Sequence, residues 1–316
     1  MLYFIVNQQS GGERAVDVWG RIRRILEKER IDYRAETTKY PGHAVALGKG
    51  FSSRGEKDTG IVVVGGDGTV NEVINGITDF EKVRLGVIPT GSGNDFIRGL
   101  GVSGSEEEIL HGILKGMQQS KEEVPRIDLG RVRWDGGDAP RLFAISAGVG
   151  LDAIVCKKAL KSRVKDVLNR FGLGKLTYTF LTVVSLFTMK TTTAAMRFDK
   201  KEKCSRKKLI FAAAMNFPAE GGGVPMAPKA SSRDGKLSVC QAFGIPKWRT
   251  FFCLPFLVLG KHPEIKGFDL TDAAECEIFL EEPTVLHADG EYCGDVVKIQ
   301  FQCLPKKLMI LNQMEK

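Results

Sequence analysis

The stretch Gly65-Gly66-Asp67-Gly68-Thr69 follows directly on Ile61-Val62-Val63-Val64. A continuous β-branched run reads as a strand buried on both faces, as in a parallel sheet covered by helices. Val70-Asn71-Glu72-Val73-Ile74 comes next with helical spacing, so the glycines fall at a strand-to-helix junction. Glycines there let the backbone approach a ligand closely and take up positive φ, while the free N–H groups of the following helix favour a phosphate. One carboxylate inside such a cradle repels phosphate unless a divalent cation lies between, so Asp67 points to Mg²⁺. Thr69 and Glu72 fit a Thr-x-x-Glu capping box that would fix the helix start. An Asp-Gly hairpin turn is the plain alternative, weakened because no second strand follows.

Outward from this junction the first 130 or so residues alternate strand and helix patterns. Tyr3 to Val6 leads to a helix near Arg14 to Arg30, with Val18, Ile22, Ile25 and Leu26 on one stripe. Asp32 to Thr37 precedes a helix starting near His43, and Leu85 to Ile88 precedes another loop and helix. This is the α/β pattern of a parallel sheet, whose ligands sit beyond the carboxyl ends of the strands. From about Ile127 the pattern changes to short strand-like runs divided by Gly, Pro and charge, with one helical insert around 154–189. The expected division is a nucleotide-binding α/β domain over 1–128 and a largely antiparallel, β-rich substrate domain over 129–302. The tail 303–316 would return to the first.

A second loop repeats the logic of the first. After Leu85 to Ile88 comes Pro89-Thr90-Gly91-Ser92-Gly93-Asn94-Asp95, again small, flexible and polar at a strand's carboxyl end. Neither loop is a P-loop, because no Gly-Lys-Ser/Thr follows, and Phe96 stands where a dinucleotide fingerprint wants its third glycine. A third element, His287-Ala288-Asp289-Gly290-Glu291, lies far along the chain. If extended, it projects Asp289 and Glu291 to one side, suited to a base and a metal-water contact; a hairpin turn explains its Asp-Gly equally well.

Composition narrows the class. The chain has 316 residues, 43% hydrophobic and 27% charged, which is globular and long enough for two domains. Seven scattered cysteines with no Cys-x-x-Cys pair, and only four histidines, argue for reduced thiols in a cytoplasm and against a zinc site. The N-terminus lacks a basic start and a long apolar core, so it reads as a first strand and not a signal peptide. The net charge of +8 is uneven: residues 157–175 and 197–208 together carry a net +11. Such local basicity suits an anionic surface. No stacking aromatics interleave with the charges, which argues against nucleic acid. The apolar runs 176–189 and 251–259 are too short to cross a bilayer, which takes about 20 residues. They read as core, or as one rim of an apolar cleft.

The ordered landmarks resemble the diacylglycerol kinase catalytic domain family, in particular its soluble bacterial lipid kinases. They are Asn7-Gln8-Gln9-Ser10-Gly11, Thr38-x-x-x-Gly42-His43-Ala44, Gly66 to Glu72, Ser92 to Asp95, Asp128 in Arg126-Ile127-Asp128-Leu129-Gly130, the segment 226–239, and Asp289-Gly290-Glu291. The resemblance implies an NAD kinase-like nucleotide domain followed by a β-rich domain. It implies ATP contacts from Asn7, Ser10, Thr38, the loop Gly66, Asp67, Gly68, Thr69, Asn71 and Glu72, and Ser92, Gly93 and Asn94. An acidic network on Asp67, Asp95, Asp128, Asp289 and Glu291 would hold Mg²⁺ through water. The base would be Glu291, with Asp289 the other candidate. A separate structural cation would fall on Asp234 and the carbonyls of Ser231 and Lys236. Gln8 departs from the proline usual after the opening Asn. The expected activity is ATP- and Mg²⁺-dependent phosphorylation of a lipid hydroxyl by a peripheral protein of the inner membrane face, with a homodimer left open. A soluble NAD kinase-like alcohol kinase and a non-catalytic nucleotide-binding membrane regulator are the alternatives.

Overall fold

A computed structural model describes residues 1–54, 58–161 and 174–314. The chain forms two compact units, Met1–Leu129 with Pro305–Lys316, and Gly130–Leu304. Most of the basic segment 157–175 lies outside the described residues.

The first unit runs β1 (Leu2–Val6), α1 (Glu13–Lys28), β2 (Tyr33–Thr37), α2 (His43–Ser52), β3 (Thr59–Gly65), α3 (Asp67–Gly76), β4 (Val83–Pro89), α4 (Asp95–Gly99) and α5 (Glu106–Gln118), then enters β5 (Arg126–Trp134). Its sheet is parallel in the order β2-β1-β3-β4. Strands β1 and β3 are buried along their whole length, which their unbroken apolar sequences require. Helix α1 turns Val18, Ile22 and Leu26 into this core. From β1 the chain goes outward to β2 and then back across to β3, so the order reverses between β1 and β3. Ligand crevices of open α/β sheets form at such a switch, beyond the strands' carboxyl ends. The chain's tail joins the same unit. Met309 and Ile310 pair in parallel with Arg84 and Leu85, and the Asn312 amide both accepts the Val87 N–H and donates to the Val87 carbonyl, each at 2.8 Å.

The second unit contains β6 (Arg141–Phe143), β7 (Ser146–Gly150), α6 (Leu151–Lys161), α7 (Gly174–Thr188), β8 (Thr192–Phe198), β9 (Cys204–Met215), β10 (Leu237–Phe243), α8 (Lys247–Val258), β11 (Phe268–Ala273), β12 (Glu275–Ala288) and β13 (Glu291–Ile310), the last running on into the first unit's sheet. Its strands pair antiparallel in the order β11-β10-β9-β7-β12-β13. Strand β9 shows why both faces are covered: Ala212 and Ala214 enter one apolar cluster, while Phe211, Ala213 and Met215 enter the other. The run 251–259 forms most of α8, and Phe251, Phe252, Phe256, Val258 and Leu259 are exposed, so the expectation that it is core does not hold. Among the described residues no helix is long and apolar enough to cross a membrane.

Candidate active site

In the first unit the carboxyl ends of β1, β3 and β4 carry the predicted loops. Helix α3 begins at Asp67 with Gly66 as its N-cap, and no side chain caps it. The Thr69–Glu72 capping box is therefore not formed. Thr69 Oγ1 instead accepts from Asn7 Nδ2 at 2.9 Å, and Glu72 reaches away to accept the N–H groups of Gly42 at 2.9 Å and Ala44 at 3.1 Å, fixing the start of α2. The one capping box in the unit's described helices is at α5, where Ser105 and Glu108 cap each other's backbone N–H.

The glycines of the junction do not take positive φ either. They are required by close approach: a Cβ on Gly66 would stand 3.2 Å from both the Gly91 Cα and the Ser10 Oγ, and one on Gly91 would stand 2.8 Å from the Gly66 Cα. Only glycine at both positions lets the two loops touch backbone to backbone. Asp67 then ties them together, accepting the N–H groups of Asp95 at 3.0 Å and Phe96 at 3.1 Å, while Thr90 N–H reaches the Gly65 carbonyl at 3.0 Å. Asn94 turns the second loop in the left-handed region and donates to the Gly91 carbonyl at 2.8 Å.

The remaining predicted residues of this unit divide. Asn7 organises its own turn, accepting Gln9 N–H on its side chain and Ser10 N–H on its carbonyl. Thr38 follows β2, half-buried, its N–H on the Val6 carbonyl. Gly68 and the buried Asn71 lie on α3, while Ser92 and Gly93 lie in the second loop, with the Gly93 carbonyl accepting from Arg98. A Cβ at Gly93 would stand 3.1 Å from Asp67 Oδ2 and 3.7 Å from Asp95 Oδ2, so both carboxylates border that glycine. Asp95 is paired with Arg98, and Asp128, fully buried, accepts the Lys306 N–H at 2.7 Å. Asp67, Asp95 and Asp128 do not form a close three-ligand group.

In the second unit Asp289 and Gly290 form a two-residue turn between β12 and β13, with Ala288 opposite Glu291 and φ of 47° and 82° at the two turn positions. This is a tight hairpin turn of the kind that Asp-Gly favours, so the segment is not extended and the two carboxylates do not share a face by strand alternation. They have different surroundings. Asp289 turns both oxygens onto the backbone of 144–146, accepting N–H groups from Ala144 at 2.8 Å, Ile145 at 2.9 Å and Ser146 at 3.0 Å. Glu291 is half-buried, and its carboxylate has no hydrogen-bond partner among the described residues.

Sequence reasoning missed the group behind this turn. Asp152, Glu220 and His287 bring one ligand atom each within 4.8 Å of one another. The buried His287 bonds Asp152 Oδ2 through Nε2 at 3.0 Å, and its Nδ1 accepts the Gly290 N–H at 3.3 Å. The imidazole thus braces the turn from below. Burial works to depress its pKa, but the Asp152 bond and the carboxylates of Asp152, Glu220 and Asp289 outweigh it and hold the ring above the usual histidine range. Asp152 is 135 residues away in sequence, and no local pattern marks it as a partner. The structural-cation candidate Asp234 is exposed and accepts the Lys236 N–H at 3.0 Å, with Ser231 also exposed in the same loop.

The diacylglycerol kinase catalytic domain family model matches residues 1–129, and that of the YegS C-terminal NAD kinase beta sandwich-like domain matches residues 145–312. A Bacillus subtilis protein named "Putative lipid kinase YtlR" is 28% identical over 295 residues, which is 92% of this chain and 93% of the relative. The Bacillus subtilis protein named "Diacylglycerol kinase" is 27% identical over 317 residues, covering 99% of this chain and 96% of its own. A crystal structure of a "putative diacylglycerol kinase" from Bacillus anthracis has a TM-score of 0.74 at 22% identity, covering 99% of this chain and 95% of that one, a likeness in fold. A parallel α/β unit with two interlocked loops at its strand ends, followed by an NAD kinase-like β-rich unit, places the chain in the diacylglycerol kinase catalytic domain family, as a phosphotransferase with an alcohol group as acceptor.

Proposed function

We propose that the protein transfers the γ-phosphoryl group of ATP to the hydroxyl of diacylglycerol or a related lipid, with Mg²⁺, at the face of an anionic membrane. The observation that carries the reading is the Gly66–Gly91 backbone contact locked by Asp67, because it sets the N-terminus of α3 and a second polar loop side by side beyond the carboxyl ends of β3 and β4, next to the switch between β1 and β3. The N-terminus of that helix, which no side chain caps, suits a polyphosphate. In this reading Asn7, Ser10, Thr38, Gly66, Gly68, Thr69, Asn71, Ser92, Gly93 and Asn94 line the nucleotide, and Glu72 acts through the start of α2.

The acidic residues fit a hydrated Mg²⁺ better than a bare one. Asp67 and Asp128 already accept backbone N–H groups and Asp95 is paired with Arg98, so each has only residual lone pairs to offer. Mg²⁺ keeps several waters, and such residual acceptors suit water-mediated contact. When bound, held through water by Asp67, Asp95 and Asp128, the ion would neutralise the negative charge of the phosphates during transfer. A separate structural cation at Asp234 and the carbonyls of Ser231 and Lys236 belongs to the same reading.

For the proton, the division of labour at the hairpin favours Glu291. Asp289 has both oxygens committed to backbone donors, whereas the Glu291 carboxylate has no donor among the described residues. Glu291 would take the proton as the lipid oxygen bonds to the γ-phosphorus and the bond to the β-phosphate's bridging oxygen breaks, releasing ADP. Phosphoryl transfer needs positioning and charge neutralisation more than covalent help, so this set suffices. The test is to incubate the purified protein with Mg-ATP and a total lipid extract and search by mass spectrometry for a lipid heavier by one phosphate. Appearance of such a species supports the reading. Phosphorylation of NAD alone, or nucleotide binding without any transfer, overturns it.

A further inference from the structure

Helix α8 wears its chemistry the wrong way round for a helix in water. Only Thr250 and Cys253 are buried, while Trp248 is 63% exposed, Phe252 64%, Phe256 47% and Leu259 66%. With 3.6 residues per turn, positions 248, 251, 252, 255, 256, 258 and 259 fall on one side of the helix, and Lys247 and Arg249 fall at its two edges. The apolar face continues onto α7. The Phe187 and Phe251 rings lie 6.1 Å apart, Phe251 meets Phe252 at 5.4 Å, and Lys247 Nζ donates to the Phe187 carbonyl at 3.1 Å. Phe180, 66% exposed, stands two turns before Phe187 on the same face of α7. At about 200 Å² per large side chain, the uncovered apolar area is on the order of 700 Å², above what a monomer in water usually leaves open.

Charge selects the occupant. From Lys247 to Lys261 every charged residue is basic, α7 contains no acid, and the exposed Lys190 follows it; the first acid beyond α8 is Glu264. An apolar face with tryptophan and phenylalanine at its centre and bases at both edges matches the acyl boundary and anionic headgroups of a phospholipid bilayer. Pairing with a second copy through the same face would set these bases against their own equivalents with no acid to meet them. We propose that α8, with the end of α7, is the surface by which the protein seats on an anionic bilayer, inserting Trp248, Phe252, Phe256 and Leu259 into the interface. The choice of a lipid occupant rests on the lipid-acceptor reading above.

The test is flotation with vesicles of phosphatidylcholine alone and of phosphatidylcholine mixed with phosphatidylglycerol, without nucleotide. The protein is expected to float with the anionic vesicles and weakly with the neutral ones. The double variant Trp248→Ser with Phe252→Ser should lose on the order of 10-fold or more in partitioning, and Arg249→Gln about fivefold. Because these side chains are exposed, thermal melting should be unchanged, which separates lost docking from lost folding. Trp248 emission should shift to the blue with anionic vesicles, and the shift should vanish in Trp248→Phe, which retains flotation. Equal flotation of the double variant, no flotation of the parent protein, or a concentration-dependent dimer abolished by the variant would each overturn the proposal. Transfer to a short-chain diacylglycerol dissolved as monomers, measured on the parent protein, reports on the kinase reading alone.

Discussion

Asp67 in the first unit lies at the N-terminus of α3 and Asp289 in the second lies at the tip of a two-residue turn, yet each turns both carboxylate oxygens onto backbone N–H groups of a separate segment. The partner of Asp67 is 28 residues on, in the next loop of the same parallel sheet. The partners of Asp289 lie 143 to 145 residues back, at the approach to β7. In both places a carboxylate sets the shape of a polar loop. What differs is what stands beside it: a helix N-terminus and an Arg98-paired Asp95 in one unit, and in the other a Glu291 whose carboxylate has no hydrogen bond among the described residues.

If Asp289 is the brace of the hairpin, Asp289→Ala leaves three N–H groups without their acceptor. Unsatisfied buried donors cost about 1–3 kcal/mol each, so a stability loss of roughly 3 kcal/mol or more is expected in denaturant unfolding. A loss below about 1 kcal/mol would leave Asp289 free for another role. Asp67→Ala removes two such acceptors and the charge beside the proposed phosphates. Transfer should fall on the order of 100-fold or more, with about 2 kcal/mol of stability lost as well. Turnover within a few-fold of the parent would refute its place in the site.

The comparison extends to histidine. Burial lowers the His262 pKa: Nε2 donates to the Met226 carbonyl at 2.9 Å, and Nδ1 is buried without a partner among the described residues. The unfolded chain then binds a proton that the fold resists. Stability is full above the ordinary histidine value near 6.5 and is lost as pH falls from there toward the depressed folded value, at about 1.4 kcal/mol per pH unit. His262→Gln should flatten that part of the acid limb in pH-dependent melting; an unchanged slope would show that other groups set it. The smallest effect belongs to the local cap of the first unit. Ser105→Ala, which breaks the capping box of α5, should cost about 1 kcal/mol with transfer unaffected.

The same contrast explains what was legible in the sequence. Apolar runs 61–64 and 85–88, each followed by a helical pattern, read as strands of a covered parallel sheet, and β3 and β4 are that. The function of the glycines was misread in one respect, because the demand comes from a neighbouring loop and not from positive φ, and loop-to-loop distance is invisible to local pattern. Thr69 and Glu72 satisfied a capping spacing, yet Asn7 and the backbone of Gly42 and Ala44 offered better partners once the fold brought them near. The bracing of Asp289 by 144–146 and of His287 by Asp152 joins segments more than a hundred residues apart, where spacing carries no information. The run 251–259 is apolar enough to look like core, and its outward-facing apolar side is a property of tertiary packing that local sequence does not carry.

The central claim is that one carboxylate of the hairpin moves a proton while the other holds its shape. Phosphate transfer to diacylglycerol should be measured for Glu291→Gln together with its unfolding free energy. The account predicts a rate reduced on the order of 1,000-fold, as for loss of a general base, with stability within about 0.5 kcal/mol of the parent. Transfer within a few-fold of the parent, or a loss of activity matched by a loss of stability, would contradict it.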